Sequence, residues 1–442
     1  MEKWMHNKKI LSGVVIALVI LCATTALIYR REGGFDQVLE VGIFAGSNWG
    51  VANANSYVII DKAVAKFEAE HPGVRVHYYS GIRKEDYSEW FSRQLLRGKE
   101  PDVFMVLGED FNQFAEIGIM KNLEPLMDQD PTFDRNAYYS TALRAGQYGG
   151  HQYAMPYETM PTLMFVNKSL LSREGIEVPD NDWTWDDMYR ISKYVTKDRD
   201  GDGILDQFGT YNYGWMEAVY ANGASLFDEN GTKAYFNDEK VMEAVRYTRQ
   251  ILELNGNKKV TRDDFDGGNV AFMPLPFAEY RTYKAYPYKI KKYTKFQWEC
   301  VTLPAGKDGG NTSAVNTLLM GISDSTGQEK LAWEFLKLLT YDEEIQTDIF
   351  RYSQGVSVLK KVTESAEAEE ILREDMEKNE KVIDNKILGE VIENGVVTPK
   401  FQKYNGAINL ADNEINRVIE DGDNLENSLR ILQRQINQYL RR

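Results

Sequence analysis

The chain has 442 residues, 43% of them hydrophobic and 27% charged, an ordinary globular composition long enough for about two domains. Its formal net charge of −15 argues against nucleic acid as a partner, because binding phosphates needs clustered Lys and Arg that release counterions. The two cysteines, Cys22 and Cys300, have no paired spacing, which excludes a disulfide framework and a thiolate zinc site.

Residues 1–32 form a membrane-directed segment. Lys3, Lys8 and Lys9 precede Ile10 to Tyr29, an uncharged and mostly apolar run of 20 residues closed by Arg30 and Arg31. Such a run at helical rise spans about 30 Å, the hydrocarbon thickness of a bilayer. The flanks put the basic end inside and Gly33 onward outside the cytoplasm. An uncleaved signal anchor is the favoured reading, with a signal peptide cleaved after Ala26 as the alternative.

Val38 to Phe44 alternates as a first strand and enters a glycine-containing loop, Ala45 to Gly50, that carries Trp49. Ser56 to Glu70 is helical, with Val58, Ile59, Ala63 and Phe67 on one face. His71-Pro72-Gly73 stops it, so His71 is a turn residue, and Val74 to Tyr78 is a strand. Tyr87 to Arg97 is a second amphipathic helix, and Pro101 to Val106 is a buried parallel strand followed by the loop Gly108-Glu109-Asp110. This alternation predicts an open α/β sheet with right-handed crossovers. Ligands then bind outside the carboxyl ends of the strands, where the loops at Trp49 and Asp110 fall.

Gly149 to Leu171 is the pivotal stretch. Pro156 forbids continuing as helix or central strand, and Thr162 to Val166 resumes as an apolar strand ahead of a helix opened by Asn167. With Tyr157 and Glu158 at the break, the segment suits a crossing between two lobes. Thr184 to Asp187 is a capping box. Asp198, Asp200 and Asp202 alternate toward Gly203, Ile204 and Asp206 as in the first part of an EF-hand loop. Their carboxylates, with the Ile204 carbonyl and Asp206, can converge on calcium, although Gly209 stands where the bidentate glutamate belongs. Tyr211, Tyr213 and Trp215 follow, then an amphipathic helix from Lys240 to Leu254 and a glycine-then-apolar run from Phe265 to Phe277. Arg281 to Lys295 is a basic, tyrosine-rich patch read as lobe surface, with contact to an anionic group as the alternative. Asn316 to Ser323 is an apolar strand, Gln328 to Leu339 a helix, and the remainder is helical and charged.

In this order the motifs resemble the bacterial extracellular solute-binding proteins of family 1, the sugar-binding subunits of ABC importers. The resemblance is carried by "Phe-Glu-x-x-His-Pro-Gly-Val-x-Val" at 67–76, "Pro-Asp-Val-Phe" at 101–104, "Tyr-Ala-x-Pro" at 153–156, "Leu-Pro-x-Gly" at 303–306 and "Gly-Ile-Ser" at 321–323. It implies a two-lobe periplasmic-binding-protein-like fold of type II, with two or three hinge strands. Lobe 1 would comprise 38–158 plus 316–352, and lobe 2 159–315 plus 353–442, with the last hinge at Gly355 to Val358. Many relatives are lipoproteins anchored through a cysteine after a small residue; here Leu21 precedes Cys22.

Sugars present C–H faces beside hydroxyls, so a site needs flat apolar rings next to Asp, Glu or Asn. The resemblance places Trp49, Asp110, Tyr157, Glu158, Tyr213, Trp215, Phe277 and Asn316 at the ligand, with Asp110 and Trp215, one per lobe, foremost. Trp90, Trp185 and Trp333 are core or cap residues. Asp110 and Glu158 could in principle serve as the carboxylate pair of a glycosidase, but no spacing specifies it, and no Gly-x-Ser-x-Gly, His-Glu-x-x-His or phosphate loop is present. The expected function is non-enzymatic: a monomer closes on a carbohydrate and docks on the permease subunits of an ABC importer. The alternative is a membrane-tethered sugar sensor or calcium-dependent adhesin.

Overall fold

The structure is a computed structural model that describes residues 37–51, 53–256, 258–279, 281, 296–374 and 383–441. The anchor run Ile10–Tyr29, Cys22 and most of the basic patch lie outside these; its first residue, Arg281, is buried and donates to the Phe350 carbonyl. No helix among the described residues is long and apolar enough to cross a membrane.

Strand β1 (Gln37–Gly42) pairs in parallel with β2 (Val74–Tyr79) on one side and β3 (Val103–Val106) on the other. The intervening helix Val58–Glu70 buries Ile59, Ile60, Ala63 and Phe67 against them, one apolar face at helical spacing. His71 ends that helix, its ring nitrogens meeting the Phe67 carbonyl at 2.9 Å and Glu334 at 3.0 Å.

After the short hairpin of β4 (Gln147–Tyr148) and β5 (His151–Gln152), the centre of the molecule is β6 (Ala154–Asn167), fourteen residues long and buried almost throughout. Its first part pairs antiparallel with β10 (Ala314–Ile322), whose other edge pairs with β3. From Thr162 onward it pairs instead with β8 (Val270–Pro276) and β9 (Trp298–Val301), and β7 (Phe208–Thr210) lies beside β8. One strand therefore belongs to two sheet regions, with the handover at Pro161 and Thr162. The sheet is mixed rather than all parallel because β10 runs back from the second region.

Pro156 lies inside this central strand, contrary to expectation. The register shifts opposite it between Leu318 and Leu319, leaving Tyr157 as the extra residue of a bulge, and a bulge tolerates the missing proline N–H. The Tyr157 carbonyl freed from the ladder accepts a bond of 3.0 Å from Gln346 Nε2. Gln346 is fully buried and also bonds the Leu339 carbonyl, Ser357 Oγ and Val358 N.

The C-terminal part divides differently from the expected 353–442 block. Strand β11 (Val356–Ser357) pairs with β6 at Thr159 and Glu158. The helices Ala366–Glu374 and Asn385–Glu393 join the first core, where Ser140 N and Thr141 Oγ1 bond Glu393. Among the described helices of this part, only Tyr404–Asp421 and Leu425–Arg441 pack in the second core, through Ala407, Ala411, Ile415 and Leu429. The last crossing is thus not Gly355–Val358 but the stretch from β12 (Val396–Val397), which pairs with β10, to Lys403.

Candidate functional site

Where the ends of β1 and β3 meet the crossing strands lies a cavity of about 380 Å³, within the range of small-molecule sites. Both lobes wall it. Asn48 and Trp49 come from the loop after β1, Gly108 and Glu109 from the end of β3, and Lys84 from the start of the helix Lys84–Leu96. Met160, Asn316 and Thr317 come from the crossing strands, and Phe401, Tyr404 and Asn405 from the far side. The Trp49 loop turns at Gly46 and Gly50, both at positive φ, and Lys84 Nζ holds it by a 2.6 Å bond to the Asn48 carbonyl. Thr398 Oγ1 donates to Asn316 Oδ1 at 3.2 Å. Asn405 Nδ2 reaches Glu109 Oε2 at 3.4 Å, a side-chain contact from one lobe to the other. Burial pulls the Lys84 ammonium below its ordinary range against the opposing pull of Glu109 and Glu85.

Behind Trp49 sits Glu158, 3% exposed and, among the described residues, without a cation against it. Ser353 Oγ donates to its carboxylate, and burial pushes the group up to about 7. Trp49 Nε1 faces the same carboxylate but is not aligned as a hydrogen bond. Gly355 makes this closeness fit: a Cβ there would stand 2.9 Å from Glu158 Oε2 and 3.1 Å from Trp49 Nε1.

Of the eight residues expected at the ligand, Trp49 and Asn316 line the cavity. Asp110 does not. It follows Glu109 in the first turn of the helix Gly108–Glu116, and the helical step of about 100° per residue directs the two apart. Glu109 faces the cavity, while Asp110 accepts a 2.6 Å bond from Ser88, and burial raises its carboxyl above the usual range. Tyr157, Tyr213, Trp215 and Phe277 are buried in the lobe cores. Tyr213 accepts the Trp185 indole N–H at 2.9 Å, and Trp215 donates to Asp412 at 2.9 Å, so both aromatics serve the packing of lobe 2. Neither carboxylate of the glycosidase pair stands on the cavity wall. The residues from 398 to 405 were not foreseen. Their signal was the run Val396-Val397-Thr398-Pro399, a short extended segment ended by proline just ahead of an amphipathic helix.

Acidic oxygens of Asp198, Asp200 and Asp202 lie within 4.8 Å of one another. The backbone wraps around them: Gly201 N and Gly203 N donate to Asp198, Asp202 N to Asp200 and Ile204 N to Asp202. Those amides hold the Asp198 carboxyl below its ordinary range. Asp206 instead accepts the Arg199 N–H, and the Ile204 side chain is exposed. Gly209 cannot give way to the glutamate of an EF-hand, because a Cβ there would stand 2.2 Å from Ser192 Cβ. The donor set of three convergent carboxylates fits a hard, oxygen-seeking cation.

A chain folded as two α/β regions around shared crossing strands, with a cavity walled from both sides, is by class a two-lobe binding protein. It belongs to the bacterial extracellular solute-binding protein family, whose profile matches residues 52–346. A Brucella abortus sequence described only as a binding protein is 22% identical over 284 residues, covering 62% of this chain and 66% of that relative. The maltotriose-binding protein of Pyrococcus abyssi is 21% identical over 201 residues, 45% of this chain and 41% of that protein. Similar folds include the Listeria monocytogenes ABC substrate-binding protein in complex with cycloalternan, with a TM-score of 0.65, 20% identity and coverage of 91% and 99% of the two chains. The sugar-binding protein of Xanthomonas citri gives a TM-score of 0.74 at 15% identity, covering 91% and 97%.

Proposed function

We propose that this chain captures a sugar or oligosaccharide between its lobes outside the cytoplasm and delivers it to the membrane subunits of an ABC importer. The observation that carries this is the cavity itself. It joins a tryptophan, a carboxylate and amide side chains from both lobes around the crossing strands. A ligand touching both sides favours the closed arrangement over the open one, and closure is the signal a permease reads. The names of similar proteins, which bind maltotriose and cycloalternan, make gluco-oligosaccharides the first panel. On this reading residues 1–32 keep the monomeric protein at the membrane, and calcium in the Asp198–Asp202 loop braces lobe 2. The test is a thermal-shift and calorimetric screen of the full-length protein against linear and cyclic oligosaccharides. A ligand that binds only the folded state raises the melting temperature. Silence across sugars, with a positive response to another solute class, overturns the carbohydrate reading.

A further inference from the structure

Lys400 stands on the wall of two cavities. One is the site described above. The second, of about 370 Å³, lies on the other side of the last crossing, and the two share Thr398, Pro399, Lys400 and Tyr404. Among the described residues three cations line the pair: Lys84 in the first, Arg144 in the second, and Lys400 in both. Lys84 is bonded to the Asn48 carbonyl and sits in the field of Glu109 and Glu85. Arg144 is exposed and donates to Thr141 Oγ1. Lys400 differs. Among the described residues no carboxylate acts on it; its ammonium lies 5.8 Å from the centre of the Phe111 ring, and burial pushes it down to about 8. Its own carbonyl accepts from Asn112 N at 3.3 Å, which pins this residue at the junction of the lobes.

A half-buried ammonium with no counter-ion among the described residues is costly, and the direct remedy is an anion supplied by the ligand. We propose that Lys400 recognises a carboxylate on the bound oligosaccharide, so that the preferred ligand contains a uronic acid residue seated at the junction of the two cavities. This rests on the carbohydrate reading above. A single ammonium offers a point charge, which suits one carboxylate better than a doubly charged group needing several donors. The net charge of −15 does not oppose it, since charges on the far surface are screened beyond about 8 Å at physiological ionic strength.

The experiment compares full-length protein with trimers of galacturonate, mannuronate and guluronate, each against its neutral methyl ester, with maltotriose and cellotriose alongside. One acidic trimer should bind at least about tenfold more tightly than its ester and weaken with added salt. Lys400→Met should melt at the same temperature without ligand yet bind acid and ester alike, whereas Lys400→Arg should keep the preference. A preference that survives Lys400→Met overturns the proposal. So does binding of neutral trimers with none of the acidic ones, an outcome that leaves the carbohydrate reading intact. If no trimer of either kind binds, the uronate proposal falls, and the carbohydrate reading is decided by the wider oligosaccharide screen above.

Discussion

Glu158 and Trp49 form one unit at the hinge, and the carboxyl proton is its variable. Because burial holds the folded-state value near 7, above the ordinary 4.5, the native protein binds this proton more tightly than the unfolded chain does. The stability that follows is complete below about 4.5 and is lost as pH rises through about 7, a difference on the order of 3 kcal/mol. Glu158→Gln should remove that slope and unfold at higher urea than the parent at pH 8, with little change at pH 4.5, in paired denaturation curves. Trp49→Ala should weaken sugar binding by about tenfold or more, or about 1.4 kcal/mol, in calorimetry. Trp215→Phe provides the contrast. It deletes the bond to Asp412 in the lobe 2 core, so it should lower stability by about 1–2 kcal/mol and leave affinity within about twofold.

At the scale of elements, the bulge in β6 depends on Gln346, a residue of the helix Glu343–Tyr352 whose amide bonds four partners. Gln346→Leu would leave the Tyr157 carbonyl and the Val358 N–H buried without partners and should cost about 3 kcal/mol, read by urea unfolding. The aspartate loop joins the helix Trp185–Val195 to β7 and is closed by the bridge of Lys197 to Gln207. If calcium is held there, chelator should lower the melting temperature by several degrees, and Asp200→Asn should melt low in either condition. The capping box at Thr184 was legible because it is local: the hydroxyl and the Asp187 carboxylate exchange bonds with backbone only three residues away. The strand through Pro156 was not, because the partner that tolerates the proline, β10, lies more than 150 residues later.

For the whole molecule, the expected output is closure. Small-angle scattering should show a smaller radius of gyration with saturating sugar than without, and Trp49→Ala should need a higher sugar concentration for the same contraction. Sequence alone determined what is set by nearest neighbours and by order: the buried strand Val103–Val106, the helix faces, the turn at His71 and the family to which the motifs belong. It also pointed to Trp49 and Asn316, which line the cavity, since both lie at crossing or strand-end positions whatever their distant partners. Only the tertiary structure decided which of two adjacent carboxylates faces the cavity, that Tyr213 and Trp215 turn inward, and that Lys400 stands between two cavities. The reason is physical. A side chain's type and local periodicity limit what it can contact, but its direction is settled by packing against chain that arrives from far away in sequence.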